Sequence, residues 1–293
     1  RRLSMPHLAL VTCSNLPGWE KDDAPLHAAL EARGVTLSHP VWNDPSVDWS
    51  SFDGALIRTT WDYCEDREGF VAWAERAGDA TLLMNPAEVI KWNTHKSYLR
   101  DVEAMGLPVI PTFWMERGGS YHLGQVMEDN GWERGFIKPQ IGATAIHTLR
   151  FDATEEGFIT ARKHVNGLIR HEGLMFQPYI ETVETFGEVS AIFLGGAYSH
   201  AVRKVPVEGD YRVQDDHGAS DEPYTFEPEF LAKLESFLER FQHDVMYARL
   251  DFLKDADGNY MMTELELVEP SLFFRHDPAA ADRLADAVLK RLS

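Results

Sequence analysis

Apolar and polar positions follow a regular order along the first part of the chain. Three short apolar runs predict buried strands over residues 7–12, 35–41 and 52–58. Apolar side chains at helical spacing predict two helices over residues 22–33 and 65–77, and Gly34 is placed to end the first helix. Strands that alternate with helices predict a small doubly wound α/β unit with a parallel sheet, in which ligands bind beyond the carboxyl ends of the strands.

Two polar stretches follow the predicted strands of this unit, over residues 14–23 and 58–63. The second stretch reads Arg-Thr-Thr-Trp-Asp-Tyr, and its Arg58, Thr60 and Asp62 are candidate contacts to a small polar substrate. The alternative interpretation is a capping loop, in which Asp62 or Thr60 caps the helix that follows. A glycine-rich phosphate fingerprint is missing after the first predicted strand, which argues against a dinucleotide site there.

The central part of the chain places lysines where they can hold phosphate. Residues 94–105 predict a short helix that carries Lys96 near its start, after another short helix over residues 87–92. Lys138 lies near the end of a predicted strand and is followed by a loop of small residues over 140–145. An amine beside a loop of backbone N–H groups is suited to bind phosphate. For any single lysine, the alternative is a solvated surface residue.

An apolar strand predicted over residues 174–180 contains Pro178. Proline removes one backbone donor, so the strand should end there or become a sheet edge. An edge backbone beside apolar side chains can bind an adenine ring through its N–H and C=O groups; an ordinary edge strand is the alternative. Two helices are predicted to precede this strand, over residues 121–130 and 155–165.

Turn residues predict two hairpins in the rest of the chain. Gly195 and Gly196 separate strands predicted over residues 189–194 and 197–205. The second hairpin turns at Asp-Ala-Asp-Gly-Asn, within residues 251–271. Amphipathic spacing predicts two further helices, over residues 228–243 and 279–292.

The second hairpin carries a cluster of carboxylates. Glu264 and Glu266 share one face of a strand, and Asp251 lies on the neighbouring strand. Carboxylates on one face repel and lose hydration unless a cation lies between them, and a small cluster of hard oxygen ligands suits Mg2+. The alternative is an acidic outer face in an acidic chain. An EF-hand calcium loop is excluded because Leu253 occupies the first ligand position and both flanks predict strands.

Composition narrows the class of protein. The 293 residues allow two or three compact units, and 44% hydrophobic and 26% charged residues are ordinary for a globular protein. A net charge of -19 argues against a nucleic-acid or anionic-membrane surface and favours a cytoplasmic protein, although a local basic pocket can still bind an anion. The chain has no apolar run of the ~18 residues that a membrane span needs and no recognisable secretory signal. Its two cysteines, Cys13 and Cys64, are too few for a disulfide framework.

In chain order, the features that can bind a nucleotide are Lys96, Lys138 with its loop, the strand end at 177–180, a basic hairpin with Arg203, Lys204 and Arg212, and the carboxylate hairpin. This series resembles the ATP-grasp superfamily, in its glutathione-synthetase and RimK-like branch. The resemblance extends from about residue 85 to the last residue, and the leading α/β unit fits the domain that precedes the ATP-grasp fold. The pattern is similar to a subgroup that includes an O-ureido-serine cyclo-ligase of cycloserine biosynthesis.

The resemblance implies an α/β (α+β) ATP-grasp fold in three parts. These are a pre-ATP-grasp α/β domain over residues 1–92, a small lid subdomain over 93–176 and a C-terminal metal-binding and catalytic subdomain over 177–293, with the nucleotide between the last two. ATP and Mg2+ are the implied cofactors, with two ions expected and Mn2+ able to replace them. The implied assembly is a homodimer or homotetramer.

The resemblance also implies roles for individual residues, with phosphate contacts from Lys96, Lys138, Lys204 and Arg212. Of these four residues, Lys138 and Arg212 are the candidate catalytic residues. Adenine contacts are expected from Gln177, Tyr179 and Ile180, and a ribose contact from Glu188 or Glu184. The implied metal ligands are Asp251, Glu264 and Glu266, the last at a position where the family often has Asn. Substrate contacts are expected from Arg58, Thr60, Asp62, Arg203, Glu269 and Ser271.

The implied function is an ATP-dependent ligase that joins a carboxylate to an amine, within one molecule or between two, and acts on a small amino-acid-like substrate. Phosphorylation converts the carboxylate into an acyl phosphate that the nucleophile attacks, and the small-residue loop serves as a lid against water. Two alternatives are an enzyme that adds amino acids to a polypeptide terminus and a non-catalytic nucleotide-binding module. Neither a nucleic acid nor a membrane is an expected partner.

Overall fold

The computed structural model describes residues 5–16, 19–143, 145–214 and 217–293, and these residues form three sheets. Residues 17 and 18 of the predicted polar loop lie outside the described part of the chain, as does Thr144 of the small-residue loop. Among the described helices, none combines the length and the apolar character that crossing a membrane requires.

The first sheet is parallel, as the alternating pattern predicts. Its strands are β1 (His7–Thr12), β2 (Thr36–Ser38), β3 (Gly54–Thr59) and β4 (Leu82–Met84). They lie in the order β2-β1-β3-β4, with helices α1 (Ala24–Ala32) and α2 (Arg67–Ala80). Leu8 and Leu10 pack in one core with α1, whereas Ala9 and Val11 pack in another with α2, so the unit is doubly wound. The short strand β4 is an addition to the prediction.

The second sheet is antiparallel and carries Lys138. Its strands are β5 (Phe113–Met115), β6 (Arg134–Pro139), β7 (Leu149–Asp152) and β8 (Leu174–Pro178), covered by helices α5 (Leu123–Asn130) and α6 (Glu155–Leu168). The strand order is β5-β8-β6-β7. Strand β8 ends at Pro178, as predicted. It lies between β5 and β6, but β5 pairs only with residues 174–176, so the last two residues of β8 have a strand neighbour on one side alone. Helix α6 also extends three residues beyond the predicted end at 165.

The third sheet is antiparallel and contains both predicted hairpins. Its strands are β9 (Glu188–Leu194), β10 (Ala197–Val205), β11 (Ser220–Tyr224), β12 (Tyr247–Lys254) and β13 (Tyr260–Glu266), in the order β11-β10-β9-β12-β13. Gly195 and Gly196 both have positive φ, as the tight turn between β9 and β10 requires. The remaining helices are α3 (Ala87–Asn93), α4 (Tyr98–Ala104), α7 (Thr182–Thr185), α8 (Pro228–Arg240) and α9 (Pro278–Leu292).

The first and third sheets share a core. Leu8 and Leu10 of the first sheet belong to the same buried cluster as Ile192 and Tyr247 of the third sheet and the apolar face of α9. Asn85, at the break after β4, is 1% exposed and joins the two sheets through its side chain. Its amide nitrogen donates to the carbonyl oxygens of Tyr247 and Leu267 at 3.0 and 2.8 Å, and its amide oxygen accepts from the backbone of Met246.

The division of the chain at 92/93 and 176/177 stays a prediction. Strand β8 runs to Pro178, two residues past the second of these boundaries. A division after Pro178 therefore keeps the second sheet intact.

We expect Asn85→Ala to lower the free energy of unfolding by about 2–4 kcal/mol, because it leaves three buried backbone groups without a partner and places alanine at a φ of 61°. Denaturant unfolding measures this change. Asn130→Ala is the matched control: it removes one part-buried hydrogen bond from an exposed residue to the Val126 carbonyl and should change stability by about 1 kcal/mol or less. Equal effects of the two substitutions would contradict the proposed role of Asn85.

Candidate active site

Side chains from the second and third sheets, together with loops of the first sheet, line a common cavity. Most of the predicted site residues face it, and the predicted carboxylate hairpin forms one of its walls. Those that do not line it are Arg58, Thr60, Asp62, Glu184 and Arg203. The cavity has an apolar part near β8, a charged part on the third sheet and a mixed acidic and aromatic part near the loops after β3 and β13.

The carboxylate hairpin has the predicted register. Asp251 on β12 lies directly opposite Glu264 on β13, and Arg249 lies opposite Glu266. Residues directly opposite each other, and residues two apart on one strand, share a face of the sheet, so the two strands bring Asp251, Glu264 and Glu266 to the same face. The pairing shifts by one residue only beyond Asp251. The sequence therefore predicted the acidic wall of the cavity, but not the arginine within it.

Arg249 is the residue of the site that the sequence analysis missed. Its guanidinium donates to both carboxylate oxygens of Asp251, at 2.9 and 3.0 Å, to Glu266 at 2.8 Å, and to the carbonyl of Ser271. Burial opposes the charge, but the carboxylates of Asp251 and Glu266 raise the pKa of Arg249 above its ordinary value. The only signal in the sequence is its position two residues before Asp251, which places both side chains on one face of β12.

Three lysines complete the charged part of the cavity. The Lys96 ammonium donates to Glu264 at 2.6 Å, and the Lys138 ammonium lies 3.7 Å from the same carboxylate. Although burial opposes ionisation, these two lysines lower the pKa of Glu264 to about 2. Lys204 donates to Glu188 at 2.5 Å and lies 3.7 Å from Asp251. The alternative of solvated surface lysines is wrong, because Lys138 and Lys204 are 7% and 5% exposed.

Three hard oxygen ligands of the kind that bind Mg2+ thus lie on two adjacent strands. Within the described part of the chain, no three acidic, histidine or cysteine side chains surround a common metal position. Asp251 and Glu266 lie against Arg249, and Glu264 lies against Lys96. Burial raises the pKa of Glu266 to about 7, with Arg249 opposing the shift. The donor set fits Mg2+ in chemistry, although Glu266 accepts from Arg249 at 2.8 Å and Glu264 accepts from Lys96 at 2.6 Å in the structure.

The apolar part of the cavity lies beside the end of β8. Tyr179 and Ile180 line it, and the backbone N–H of Tyr179 donates to the Arg134 carbonyl at 2.9 Å. Gln177 also lines the cavity, but its side-chain amide is buried and donates to the Thr112 hydroxyl at 2.9 Å. Aliphatic and aromatic neighbours complete this part, namely Ile110, Phe136, Val183, Val213 and Leu253.

The two acids considered for ribose binding differ in position. Glu188 lines the cavity and accepts from Lys204 and from the Thr263 hydroxyl. Glu184 lies outside it and accepts from Arg150 at 2.6 Å. Glu188 is therefore the acid that a ligand in the cavity can reach.

The basic hairpin divides its cations between two faces. Lys204 points into the cavity, whereas the neighbouring Arg203 pairs with Glu222 on β11, since successive side chains of a strand alternate. The expectation that Arg203 contacts substrate is corrected for this reason. Arg212 lines the cavity and pairs with Asp210 at 2.7 Å, an interaction that lowers the pKa of Asp210.

The polar run after β3 reaches the cavity through Trp61 and Tyr63 rather than through the predicted residues. Arg58 is 3% exposed, and its guanidinium donates to Asp23 at 2.8 and 3.0 Å and to the Pro270 carbonyl at 2.9 Å. Thr60 is fully buried and lies outside the cavity wall. The expectation of direct substrate contacts from this group is therefore corrected.

The capping alternative for the same run is also wrong. The Asp62 carboxylate accepts from the Trp42 indole N–H at 2.8 Å, and its side chain makes no cap hydrogen bond. Helix α2 is capped instead by Asp66, whose carboxylate accepts from the Gly69 N–H at 2.9 Å.

The loop after β13 forms the rest of the cavity wall. Glu269, Ser271 and Phe273 line it, opposite Trp61, whose indole N–H donates to the Glu269 carbonyl at 3.2 Å. Burial and the nearby charge of Glu266 raise the pKa of Glu269 to about 8. Phe273 has a φ of 53°, a backbone conformation that residues other than glycine rarely adopt outside strained sites.

Comparison with solved structures places this fold among the ATP-grasp ligases. The crystal structure of D-cycloserine synthetase DcsG matches with a TM-score of 0.86 at 28% identity, covering 98% of this chain and 100% of that one. A D-alanine–D-alanine ligase from Bacillus anthracis matches with a TM-score of 0.72 at 14% identity, covering 98% of this chain and 97% of that one. An ATP-grasp RimK domain protein from Sphaerobacter thermophilus matches with a TM-score of 0.68 at 17% identity, covering 97% and 99%.

Sequence comparison identifies the family. Residues 8–85 match the N-terminal domain of D-cycloserine synthetase DcsG. The chain is 32% identical over 297 residues to the cycloserine biosynthesis protein DcsG of Streptomyces lavendulae, covering 97% of this chain and 98% of that protein. The chain therefore belongs to the DcsG family of ATP-grasp enzymes and is a ligase. The predicted resemblance and ATP-grasp fold are confirmed.

We expect Arg58→Ala to lower the stability of the protein rather than to weaken substrate binding directly. It leaves Asp23 buried without its partner, so the free energy of unfolding should fall by about 3–5 kcal/mol, and the double variant Arg58→Ala/Asp23→Ala should recover part of that loss. The control is Arg33→Ala, which breaks more exposed pairs with Asp282 and Asp286 and should cost about 1 kcal/mol or less. Unchanged stability with a raised substrate KM would restore Arg58 as a direct contact.

Proposed function

We propose that this ligase closes a ring within a small amino-acid derivative, O-ureidoserine, by activating its carboxylate with ATP and Mg2+. The observation that carries the proposal is the convergence of Lys96, Lys138, Lys204 and Arg249 on the carboxylate wall of one cavity. Phosphoryl transfer requires charge neutralisation and positioning more than covalent help from the protein, and this cluster is suited to both. The likeness over nearly the whole chain to DcsG, a cycloserine biosynthesis protein, supports a small amino-acid-like substrate.

The nucleotide is proposed to lie between the second and third sheets. Its adenine packs in the apolar part of the cavity against Tyr179 and Ile180, with Gln177 acting through its backbone. Glu188 accepts the ribose hydroxyls, and Glu184 is no longer needed for that role because it lies outside the cavity. The structures of a D-alanine–D-alanine ligase with ATP, and of the ligase PsnB with Mg and ADP, support ATP and Mg2+ as the cofactors.

The lysines are proposed to change partner when the nucleotide binds. Lys96 and Lys138 leave Glu264 for the phosphates, and Lys204 and Arg212 add positive charge there. Glu264 then becomes available to Mg2+ together with Asp251 and Glu266, with two ions proposed and Mn2+ able to replace them. An exchange of one charged partner for another keeps each buried group paired, so it avoids the cost of an isolated buried charge.

When bound, ATP supplies the phosphoryl group that makes a carboxylate an acyl donor, and Mg2+ offsets the charge. The chain's own part is to hold the substrate and exclude water. Arg249 faces the cavity between Asp251 and Glu266 and is placed to stabilise negative charge on the substrate carboxyl oxygens. The small-residue loop before β7 borders the cavity through Gly142, Ala143 and Ala145 and is proposed to close over it.

A small molecule, rather than a polypeptide terminus, is the proposed substrate. Trp61, Tyr63 and Phe273 line the part of the cavity beyond the carboxylates, where three aromatic side chains can surround a compact amino-acid derivative. The acidic net charge of -19 supports a cytoplasmic protein without a nucleic-acid partner. We retain the homodimer or homotetramer as a proposal.

The direct test of the function is an assay of purified enzyme with ATP, Mg2+ and each enantiomer of O-ureidoserine. We expect ADP release that depends on one enantiomer, with cycloserine detected by mass spectrometry. ADP release with pairs of ordinary amino acids, and none with O-ureidoserine, would instead identify an intermolecular ligase.

We expect Glu264→Gln to lower kcat by about 100-fold or more, because the amide keeps the shape of the side chain but loses the charge that binds Mg2+ and holds Lys96. Steady-state ADP release measures this, and circular dichroism checks the fold. Glu239→Gln, on the exposed face of α8, is the matched control and should leave kcat unchanged. A Glu264→Gln enzyme with full activity would show that the metal assignment is wrong.

A further inference from the structure

Ion pairing distinguishes one carboxylate of the cavity from the others. Within the described part of the chain, the other acids on the cavity wall have cationic partners: Asp22, Glu188, Asp251, Glu264 and Glu266. Glu269 forms no ion pair with any described residue, and its carboxylate accepts a hydrogen bond from its own backbone N–H. A carboxyl group in a partly desolvated wall without a cationic partner favours its protonated form, and a ligand that supplies a positive charge stabilises the carboxylate instead.

The surroundings of Glu269 are fixed and aromatic. Its carbonyl accepts the Trp61 indole N–H, which holds the loop in place, and the preceding residue, Val268, is 2% exposed. After burial, the charge of Glu269 does most to raise the pKa of both Tyr63 and Cys64, so its carboxylate lies within electrostatic range of these two side chains. Aromatic faces attract cations, and Trp61, Tyr63 and Phe273 all line this end of the cavity.

We propose that Glu269 binds the ammonium group of the substrate, within this acidic and aromatic end of the cavity. The proposal deepens the proposed function and rests on it. The three lysines and Arg249 are assigned to phosphates, to other carboxylates and to the substrate carboxyl group. The partner of Glu269 must therefore be a positive charge that the substrate brings. A zwitterionic amino acid carries both charges and spans both groups, with its carboxylate toward Arg249 and its ammonium toward Glu269.

This assignment selects the nitrogen that reacts. An ammonium held by a carboxylate has no free electron pair, so it cannot attack the activated carboxyl carbon. The other two nitrogens of O-ureidoserine belong to its ureido group, and attack by the one bonded to oxygen closes the five-membered ring. The new N–C bond forms as the C–O bond to phosphate breaks, and phosphate and a proton are released. Water then hydrolyses the carbamoyl group from that nitrogen, and the group leaves as carbon dioxide and ammonia. The primary amine is retained in the product, as it is in cycloserine.

The test compares two substrates in two enzymes. The substrates are O-ureidoserine and 3-(ureidooxy)propanoate, which lacks the amino group; the enzymes are the wild type and Glu269→Gln. In the wild type, loss of the amino group should lower kcat/KM by about 100-fold, whereas in Glu269→Gln it should lower it by about 3-fold or less. The KM for ATP should change by less than about 2-fold, because Glu269 is assigned no contact with the nucleotide.

Two further variants separate binding from folding. Glu269→Asp keeps the charge and should retain most of the discrimination between the two substrates, and this ratio does not depend on the fraction of folded enzyme. Glu103→Gln, on the exposed face of α4, is the matched control and should behave as the wild type. An equal loss of both substrates in Glu269→Gln would overturn the proposal, as would activity restored by raising the Mg2+ concentration.

Failure of the proposed function gives a different result. If the wild type releases no ADP with O-ureidoserine, calorimetry with Mg2+ and ADP present can still compare cycloserine with isoxazolidin-3-one, the same ring without its amine. Tighter binding of cycloserine to the wild type, lost in Glu269→Gln, would support the role of Glu269. Equal binding of both rings, or binding of neither, would overturn it.

Discussion

The pairing of buried charges across the cavity is the interaction on which the rest of the site depends. Asp251, Lys138, Lys204 and Arg249 are each less than a tenth exposed, and charges so removed from water need partners. The pair between Lys138 of the second sheet and Glu264 of the third sheet crosses the space where the nucleotide is proposed to bind. The lysines that pair with carboxylates across this cavity are therefore the same groups that can bind the phosphates of a ligand.

Much of the architecture was accessible from local patterns in the sequence. The Gly195-Gly196 turn and the period-2 placement of Glu264 and Glu266 predicted two hairpins of the third sheet, and both are present. The helix and strand alternation predicted the doubly wound first sheet. Strands β4, β5, β7 and β11 were not predicted, since each is at most five residues long and takes its stability from neighbours distant in sequence.

The wrong predictions for two arginines of the site, and the failure to predict a third, have a common physical origin. Arg58 and Arg203 have the right charge for a substrate contact, but their partners, Asp23 and Glu222, are 35 and 19 residues away in sequence, and only the tertiary fold brings them together. Arg249 was missed for the converse reason: its functional position depends on register with β13. Patterns along a chain report which face a side chain occupies, whereas its partner across the fold decides whether it is free to bind a ligand.

On nucleotide binding, phosphate is proposed to replace Glu264 as the partner of Lys96 and Lys138. A crystal structure of the enzyme with ADP and Mg2+ tests this most directly. We expect both ammonium groups within hydrogen-bond distance of phosphate oxygens, and Asp251 and Glu264 within coordination distance of Mg2+. A nucleotide bound in this cavity while both lysines remain on Glu264, or one bound elsewhere, would contradict it.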